Sequence, residues 1–341
     1  MSQQWNVAVL GATGLVGDTI IKVLEERKFP VGELYPLASN RSLGKSVEFK
    51  GKTYPVLDVD TFDFSKANIG LFSAGGDVSR TYAPKAAAAG CVVIDNTSEF
   101  RYEEDIPLII PELNAAAIAQ FTKRRIIANP NCSIIQMLVA LKPIYDAVGI
   151  DRINVATYQS VSGAGKEAVE ELAEQTVALV SGKGPVKPKV VAAQIAFNVV
   201  PQIDQFMDNG YTKEEMKMFW ETQKIFGDSN IKVNATTVRV PVFFGHSEVV
   251  NIETRQKITV PEVRKLLEKA PGVKVIDTRE KGGYPTAAVQ AANDDRVFVG
   301  RIREDISHER GLNFWIVSDN IRKGAATNSV QIAEILIRDH L

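Results

Sequence analysis

A cysteine placed at the start of a predicted helix is the residue of this sequence with the clearest chemical potential. The stretch Ile126–Ser133 is a short apolar run that ends in Asn-Pro-Asn and is followed at once by Cys132. Apolar residues then recur at helical spacing up to Val148, which predicts that Cys132 lies in the first turn of a helix fed by a strand. Unpaired backbone N–H groups and the helix dipole lower a thiol pKa at such a place, so Cys132 is a candidate nucleophile. The alternative is a small apolar residue at a buried helix start.

A nucleophilic cysteine needs a group that handles protons, and the sequence contains three histidines. His340 is the second-last residue and His308 lies in a polar turn, whereas His246 follows an apolar strand predicted over 236–244. A histidine with a pKa near neutrality can take up a proton and return it within one cycle. We therefore expect the end of this strand to present His246 to a cleft that also holds Cys132. The alternative is a structural histidine that satisfies a turn.

Four further polar residues fit the recognition of a small charged substrate. Arg239 lies within the predicted apolar strand, where an unpaired guanidinium is costly, so it needs an acid from the protein or from a ligand carboxylate. Glu221 and Lys224 are three residues apart on one face of a predicted helix, although such a pair is commonly only a solvated ion pair. Gln159 precedes a glycine-containing turn and is neutral, so it can orient a carbonyl group.

Composition excludes several classes of function. The chain has 341 residues, which suggests two domains, and 45% of them are hydrophobic. The net charge of −1 argues against a generic nucleic-acid or membrane-surface binder. The two cysteines form neither a disulfide framework nor a metal-binding spacing, so we expect no metal. With neither a secretory signal nor a membrane-spanning run in view, we expect a cytoplasmic, reducing location.

The first strand and helix predict a dinucleotide-binding turn. The apolar run Trp5–Leu10 leads into Gly11-Ala-Thr-Gly14-Leu-Val-Gly17, and an amphipathic helix continues to about residue 27. Glycines permit a tight turn and a close approach of the backbone to a pyrophosphate, which the N–H groups of the helix start then bind. The spacing is GxxGxxG, and a simple strand-to-helix connection is the alternative.

The end of the second strand favours NADP over NAD. In NAD enzymes an acid at this place binds the ribose hydroxyls. Here the strand predicted over 34–38 is followed by Ser39-Asn40-Arg41-Ser42, without an acid. A guanidinium and hydroxyl groups suit a 2′-phosphate. The alternative is that Arg41 is a solvated loop residue.

The alternation of strands and helices predicts an α/β first domain. Strands near 69–74 and 91–95, separated by an Ala-rich helix near 78–89, indicate a mostly parallel, doubly wound sheet. Cys91 lies within the second of these strands and is expected to be inert core. Arg101 follows that strand at the sheet edge where ligands gather, so it is a candidate anion contact, with a surface loop arginine as the default.

The rest of the chain predicts a second domain with a mixed or antiparallel sheet. Strands are expected over 151–160, 236–244, 249–253, 297–302 and 313–317, and helices over 167–180 and 212–226. A last helix over 321–341 is expected to pack back on the first domain.

Taken together, the motifs of this sequence resemble those of bacterial-type aspartate-β-semialdehyde dehydrogenases. They span nearly the whole chain in the family's order. The matching pieces are Gly11–Gly17, Ser98–Arg101, Asn129–Ser133, Tyr158–Lys166, Glu221–Lys224, Arg239–His246 and Asp319–Asn328. The glycine motif is unspecific, whereas the Cys, Gln, Glu-x-x-Lys and Arg-x6-His set is highly specific.

The resemblance implies a fold and a reaction. The implied fold is α/β, with a Rossmann-like doubly wound NADP-binding domain (1–131 plus 320–341) and an α+β catalytic and dimerisation domain (132–319) with a mixed sheet. The implied reaction is the reduction of L-aspartyl-4-phosphate by NADPH to L-aspartate-4-semialdehyde and inorganic phosphate, through a cysteine thioester. This step belongs to lysine, methionine, threonine and isoleucine biosynthesis, and the family forms homodimers.

The resemblance also implies a role for each matched residue. Cys132 is the implied nucleophile, His246 handles the proton and Gln159 orients the substrate. Implied substrate and phosphate contacts are Arg101, Asn131, Glu221, Lys224 and Arg239. Implied cofactor contacts are Gly11, Thr13, Gly14, Leu15, Val16, Arg41, Ser42, Ser162, Gly163 and Asn320.

The sequence leaves two alternative functions open. N-acetylglutamyl-phosphate reductase performs the same chemistry on a substrate without a free ammonium group, which would have no use for Glu221. A non-catalytic NADPH-binding sensor would not depend on Cys132. Related acyl-phosphate reductases share the fold and a Cys/His pair, so the fold alone does not choose between them.

Overall fold

The chain folds into two compact units in the computed structural model, which describes residues 3–341. One unit contains the residues up to Asn131 together with Ala325–Leu341, and the other contains Cys132–Gly324. The sequence predicts divisions after 131 and 319, and the units divide after 131 and 324.

A six-stranded parallel sheet with the order β5-β2-β1-β6-β7-β8 forms the centre of the first unit. An antiparallel hairpin, β3-β4, is separate from it. The strands are β1 (Trp5–Leu10), β2 (Val31–Ala38), β3 (Ser46–Phe49), β4 (Lys52–Pro55), β5 (Leu57–Asp58), β6 (Ile69–Phe72), β7 (Val92–Asp95) and β8 (Ile126–Ala128). The helices, numbered in chain order, are α1 (Leu15–Glu26), α2 (Gly76–Ala88), α3 (Pro111–Asn114) and α8 (Thr327–Asp339).

This strand order confirms the doubly wound prediction. The direction of winding reverses at β1, which pairs with β2 on one side and with β6 on the other. In open α/β sheets ligands bind beyond the carboxyl ends of the strands at this reversal. The glycine turn directly follows β1 and therefore lies at that place. The C-terminal helix α8 belongs to this unit and packs beside α1.

The second unit contains a mixed six-stranded sheet with the order β10-β9-β11-β14-β13-β12. Pairs β9–β10 and β12–β13 are parallel, and the other pairs are antiparallel. The strands are β9 (Ile150–Gln159), β10 (Lys232–Arg239), β11 (His246–Thr254), β12 (Val273–Val275), β13 (Val297–Glu304) and β14 (Gly311–Ser318). The helices are α4 (Cys132–Val148), α5 (Lys166–Val180), α6 (Lys213–Phe226) and α7 (Val260–Lys269). The prediction of a mixed sheet is confirmed.

One strand prediction is wrong in a way that matters for the site. The strand expected over 236–244 begins at Lys232 and ends at Arg239. Pro241 has no N–H to donate to a ladder, and the Val242 N–H donates back to the Val240 carbonyl in a tight turn. His246 therefore begins the next strand, β11, instead of following the previous one.

Two helices cover one face of this sheet. Helix α4 packs against β11 and helix α6 packs against β10. Every residue from Ser133 to Leu141 in α4 is buried, so this part of the helix is enclosed on all sides, whereas Cys132 at its start is partly exposed. Among the described residues, no helix is both long and apolar enough to cross a membrane.

Candidate active site

Three of the predicted site residues lie at one edge of the second unit's sheet. Gln159 is the last residue of β9 and Arg239 the last residue of β10, and these two residues are partners in the parallel ladder. His246 is the first residue of β11, which runs antiparallel to β9, so its start lies at the same edge. All three side chains are at most 6% exposed. The fold thus gathers residues that are separated by up to 87 positions in the chain.

The imidazole of His246 is held in one tautomer by a backbone hydrogen bond. The Ser160 N–H donates to Nδ1 over 3.1 Å, and the Ser160 hydroxyl lies 3.1 Å from the same atom. Because a backbone N–H only donates, Nδ1 must carry a lone pair, and the neutral ring carries its proton on Nε2. Nε2 has no hydrogen-bond partner among the described residues.

Gly163 keeps the space beside Nε2 open. A Cβ at this position would lie 3.3 Å from His246 Nε2 and 3.0 Å from Arg239 Nη1. Any larger residue would press on both groups. His246 Nε2 and Arg239 Nη1 therefore face the same small space. Because Gly163 has no side chain, this space is available to a ligand.

Burial keeps His246 neutral. The side chain is fully buried, which lowers its pKa to about 3, and the positive charge of Arg239 acts in the same direction against a smaller opposing effect of Glu214. A histidine that titrates near neutrality was the expectation, and the structure contradicts it for the free protein because an imidazolium cannot be solvated here. The available chemistry is hydrogen-bond donation from Nε2–H.

Asn320 fixes the loops on both sides of this imidazole. Its Oδ1 accepts from the Gly245 N–H over 2.9 Å and from the Ser160 hydroxyl over 3.0 Å. Its Nδ2 donates to the Ser162 hydroxyl over 3.0 Å. Both ends of the amide thus bind protein groups around His246. The cofactor contacts expected of Asn320, Ser162 and Gly163 stay predictions.

Arg239 is a buried cation held by a carbonyl group. Its Nη1 donates to the Ser160 carbonyl over 2.8 Å, and it forms no salt bridge with any described residue. Burial lowers its pKa, while the charges of Glu214 and Cys132 act in the opposite direction. The acid expected from the protein is therefore not a direct partner, and a ligand carboxylate fits the remaining donors.

Glu214 belongs to the site and was not found from the sequence. It is 5% exposed, and it accepts hydrogen bonds from Gln159 Nε2 over 3.2 Å and from Lys217 Nζ over 2.9 Å. The signal was present, because residues 214, 217, 221 and 224 recur at helical spacing and alternate in charge along one face of α6. Glu221 is fully buried on this face, so a solvated pair with Lys224 is the wrong description of it.

Cys132 is the first residue of α4, as predicted, and it is partly exposed. A Cβ at Gly324 would lie 2.8 Å from the Cys132 Cβ, so this glycine leaves room beside the cysteine. Cys91, in contrast to Cys132, is not accessible. That thiol is fully buried, and burial raises its pKa to about 12, which confirms an inert core role.

In the first unit, the glycine turn fits a bound phosphate. Gly11 has φ of +88°, and a Cβ at Gly17 would lie 2.1 Å from the Gly11 carbonyl oxygen, so the turn and the helix meet too closely for any other residue. The N-cap residue Gly14 makes no side-chain capping bond, which leaves the first N–H groups of α1 to an anion. Leu15 and Val16 form this helix start.

The candidate 2′-phosphate contacts lie close to this turn. The Thr13 and Ser42 hydroxyls are 3.2 Å apart, which brings the strand-β2 end to the turn. Arg41 lies in a short 3₁₀ helix, Asn40–Ser42, and is exposed. Hydroxyl donors and an exposed guanidinium are groups that suit a phosphorylated ribose.

Arg101 is not a surface arginine. It is 5% exposed, with Nε donating to the Asn129 carbonyl over 2.9 Å and Nη2 to the Asn96 carbonyl over 2.8 Å. Asn129 is itself held by Asn328 over 2.7 Å, and Asn131 is 7% exposed.

No group of His, Cys, Asp or Glu side chains that could hold a metal ion occurs among residues 3–341.

Comparison with known families matches both units. Residues 6–121 match the model described as "Semialdehyde dehydrogenase, NAD binding domain". Residues 141–323 match the model described as "Semialdehyde dehydrogenase, dimerisation domain". Aspartate-semialdehyde dehydrogenase of Shewanella sp. strain DB6705 is 65% identical over 340 residues, covering 100% of both chains. Aspartate-semialdehyde dehydrogenase 2 of Vibrio cholerae is 61% identical over 340 residues, again covering 100% of both.

Solved structures agree with these matches. Aspartate-semialdehyde dehydrogenase II of Vibrio cholerae in complex with ASA superposes with a TM-score of 0.98 at 60% identity, over 100% of both chains. The Candida albicans aspartate-semialdehyde dehydrogenase with NADP has a TM-score of 0.75 at 26% identity, over 98% of this chain and 99% of that one.

The neutral state of His246 can be measured directly. In ¹⁵N-edited NMR of the free protein, we expect His246 to stay neutral, with its proton on Nε2, from about pH 8 to about pH 5, because the imidazolium is not solvated. In the unfolded chain the same ring titrates near 6.5. Stability should therefore fall as the pH drops from about 6.5 towards 3, since only the unfolded chain binds the proton there. Titration of the folded ring above pH 5 would contradict this description.

Proposed function

The chain belongs to the aspartate-semialdehyde dehydrogenase family and carries that family's activity, and we propose the full reaction as the NADPH-dependent reductive dephosphorylation of L-aspartyl-4-phosphate. The products are L-aspartate-4-semialdehyde and inorganic phosphate. The observation that carries the proposal is the joint burial of Arg239 and Gln159 at one sheet edge and of Glu221 on helix α6, together with a partly exposed Cys132 whose charge acts on Arg239. In this proposal the reaction serves lysine, methionine, threonine and isoleucine biosynthesis, in the cytoplasm, where two free cysteines stay reduced.

In the first step the Cys132 thiolate attacks the acyl carbon of the substrate. A C–S bond forms, the bond from the acyl carbon to the phosphate oxygen breaks, and phosphate leaves with the electron pair of that bond. The product on the enzyme is a thioester. Arg101 and Lys224 are the proposed phosphate contacts, because a leaving phosphate needs cationic donors.

In the second step the thioester is reduced and released. When bound, NADPH supplies the hydride that reduces the thioester carbon. We propose that donors at fixed positions stabilise the resulting oxyanion and that His246 Nε2–H is one of them, because the Ser160 N–H holds the proton of this ring on Nε2. The backbone N–H groups of Cys132 and Asn131 are proposed as further donors. Collapse breaks the C–S bond, frees the aldehyde and returns the thiolate, so this direction needs His246 as a donor more than as a base.

Arg239, Glu221 and Gln159 are proposed to bind different groups of the substrate's amino-acid end. Arg239 is proposed to bind the α-carboxylate, since its only side-chain partner is a neutral carbonyl. Glu221 is proposed to bind the ammonium group. Gln159, held by Glu214, orients the substrate between these two.

The cofactor is a nicotinamide nucleotide, and we propose that it is NADP(H). The NAD-binding family model covers the glycine turn, and a structural relative was solved with NADP. The end of β2 supports the phosphorylated form, because it offers Ser42, Thr13 and Arg41 and no acidic side chain.

A homodimer is proposed through the outer face of the second unit's sheet. Residues 141–323 match a dimerisation domain. Strand residues alternate between faces, so Val249 is on the face opposite to the buried Glu248. It lines a groove with Tyr284 and Trp315, which Arg301 and Arg303 also line. Tyr284 is 40% exposed in the single chain. A second copy of the chain is the proposed occupant of this groove.

The nature of the substrate can be tested in the reverse direction, with phosphate, NADP and two aldehydes. We expect turnover of aspartate semialdehyde and not of N-acetylglutamate semialdehyde. Glu221→Gln should lower kcat/KM at least about tenfold, because the ammonium loses its charge partner.

Cys132→Ser should lower activity about a thousandfold or more while cofactor affinity is kept, with Cys91→Ser as the active control. A Cys132→Ser variant that keeps its activity would overturn the mechanism.

The cofactor preference depends on Arg41. Arg41→Ala should reduce the NADPH/NADH ratio of kcat/KM about tenfold or more, through a higher KM for NADPH, because a charge-assisted contact to the 2′-phosphate is lost. Steady-state kinetics with both cofactors measures this. An unchanged ratio would mean that Arg41 is only a solvated loop residue, and Arg27, which pairs with Glu334, serves as the control position.

The proposed dimer face can be tested by one charge. Val249→Arg should convert the dimer to a monomer at micromolar concentration, because a third guanidinium would be buried beside Arg301 and Arg303 with no acidic side chain lining the groove. Analytical ultracentrifugation measures the mass. Ile306→Arg, at a fully exposed loop position, should leave the dimer unchanged. A dimeric Val249→Arg variant would place the interface elsewhere.

A further inference from the structure

A second polar row lies directly behind the residues of the active site. Thr237 pairs with Thr157, and Thr157 pairs with Glu248, so the three residues form a row across β10, β9 and β11. Thr237 and Thr157 come two residues before Arg239 and Gln159, and Glu248 comes two residues after His246. The row therefore lies on the same face of the sheet. All three side chains of the row are fully buried. The two rows are joined, because Gln159 Nε2 donates to Thr157 Oγ1 over 3.3 Å.

Helix α4 places a matching polar residue above this row. Gln136 is four residues after Cys132 and therefore lies on the same side of the helix, one turn away. It is 1% exposed, and α4 packs against β11. Gln136 follows Cys132 by one turn on the same side of α4, and Glu248 follows His246 by two residues on the same face of β11. The next row of the sheet, Ala235, Val155 and Val250, is apolar.

Three side chains of this layer have no hydrogen-bond partner among the described residues, namely Glu248, Gln136 and the Thr237 hydroxyl. No hydrogen bond of standard geometry is made by either carboxyl oxygen of Glu248 or by either polar atom of the Gln136 amide in the described part of the chain, although the amide is near enough to the carboxyl to lower its pKa. Buried polar groups in folded proteins almost always have partners, so a pair left over in the core calls for an explanation. Each group can satisfy the other by rotation about its terminal torsion, which is soft in both side chains.

The charge state of Glu248 follows from its surroundings. No cationic side chain contacts the carboxyl in the described residues, and burial raises its pKa well above the ordinary value, against a smaller lowering effect of the Gln136 amide. A buried, unpaired carboxylate is far more costly than a neutral acid. A neutral acid also gains a donor, which the carbonyl oxygen of an amide can accept.

We propose that Glu248 is a protonated positioning residue, whose carboxylic acid pairs reciprocally with the Gln136 amide and so fixes the start of α4 against the start of β11. The pair holds the backbone that carries Cys132 at a set position relative to His246. This deepens the proposed function, since it concerns the placement of the same two reacting groups. It involves no transfer of a proton during the cycle.

The protonation of Glu248 can be tested without reference to activity. In the infrared difference spectrum of wild type minus Glu248→Gln in D₂O, we expect the C=O stretch of a protonated carboxylic acid. The band should persist from neutral to mildly alkaline pH. A pair of carboxylate bands in its place would overturn the proposal, and this result would leave the proposed reaction untouched.

The positioning role can be tested by rescue. Glu248→Gln still offers one donor and one acceptor, so kcat should stay within about twofold of wild type. Glu248→Leu should lower kcat about tenfold or more with little change in KM, because the geometry of the reacting groups is relaxed. The pH midpoint of Cys132 alkylation by iodoacetamide should shift in Glu248→Leu and not in Glu248→Gln.

Two controls separate positioning from stability. Val250→Ala removes an equally buried side chain two residues further along β11, and it should lower the thermal midpoint without moving the alkylation profile or kcat. Gln136→Leu should reproduce the kinetic effect of Glu248→Leu, and the double variant should be less than additive. Equal loss of activity in Glu248→Gln and Glu248→Leu, or wild-type kcat in Glu248→Leu, would overturn the proposal. If Glu248→Leu does not fold, the infrared band and Glu248→Gln still decide it.

Discussion

The hydrogen bond from the Ser160 N–H to His246 Nδ1 is the contact on which the arrangement of the second unit's site depends. It sets the tautomer of the ring, and it ties the end of β9 to the start of β11. The same stretch of backbone binds Arg239 through the Ser160 carbonyl. The backbone N–H and carbonyl of one residue, Ser160, therefore place a neutral donor and a buried cation side by side. A slip of one residue in the pairing of β9 with β11 would turn Gln159 to the other face and end this arrangement.

The two faces of the sheet differ in their surroundings, and successive residues of each strand point to alternate faces. On β11, His246 and Glu248 point to the face under α4 and α6, whereas Ser247 and Val249 point to the other face. The inner face is polar near the strand ends and becomes apolar from Val250 onwards. Burial of so many polar groups is costly, and hydrogen bonds around Asn320 and Glu214 offset much of that cost. The same low-dielectric surroundings strengthen each interaction with a charged substrate.

Much of the fold and a good part of the site could be read from the sequence, because local signals were strong. The strand, glycine turn and helix of residues 5–26, and the helix starting at Cys132, follow from periodicity and from Gly and Pro positions. The start of β11 could not be found, since the pairing that makes His246 its first residue is made with distant strands. Glu248 was missed for a related reason. Its polarity predicts the solvent face of an alternating strand, and only tertiary packing buries it. Glu214 was missed because spacing along a helix does not tell which face is covered.

In the proposed mechanism Cys132 carries the acyl group as a thioester beside fixed hydrogen-bond donors. Intact and peptide mass spectrometry can detect this thioester after the acyl phosphate is mixed with enzyme in the absence of NADPH. We expect one aspartyl adduct, located on Cys132, that disappears when NADPH is added, and no adduct on the buried Cys91. An adduct on another residue, or full turnover in single-turnover experiments with no covalent species formed, would contradict it.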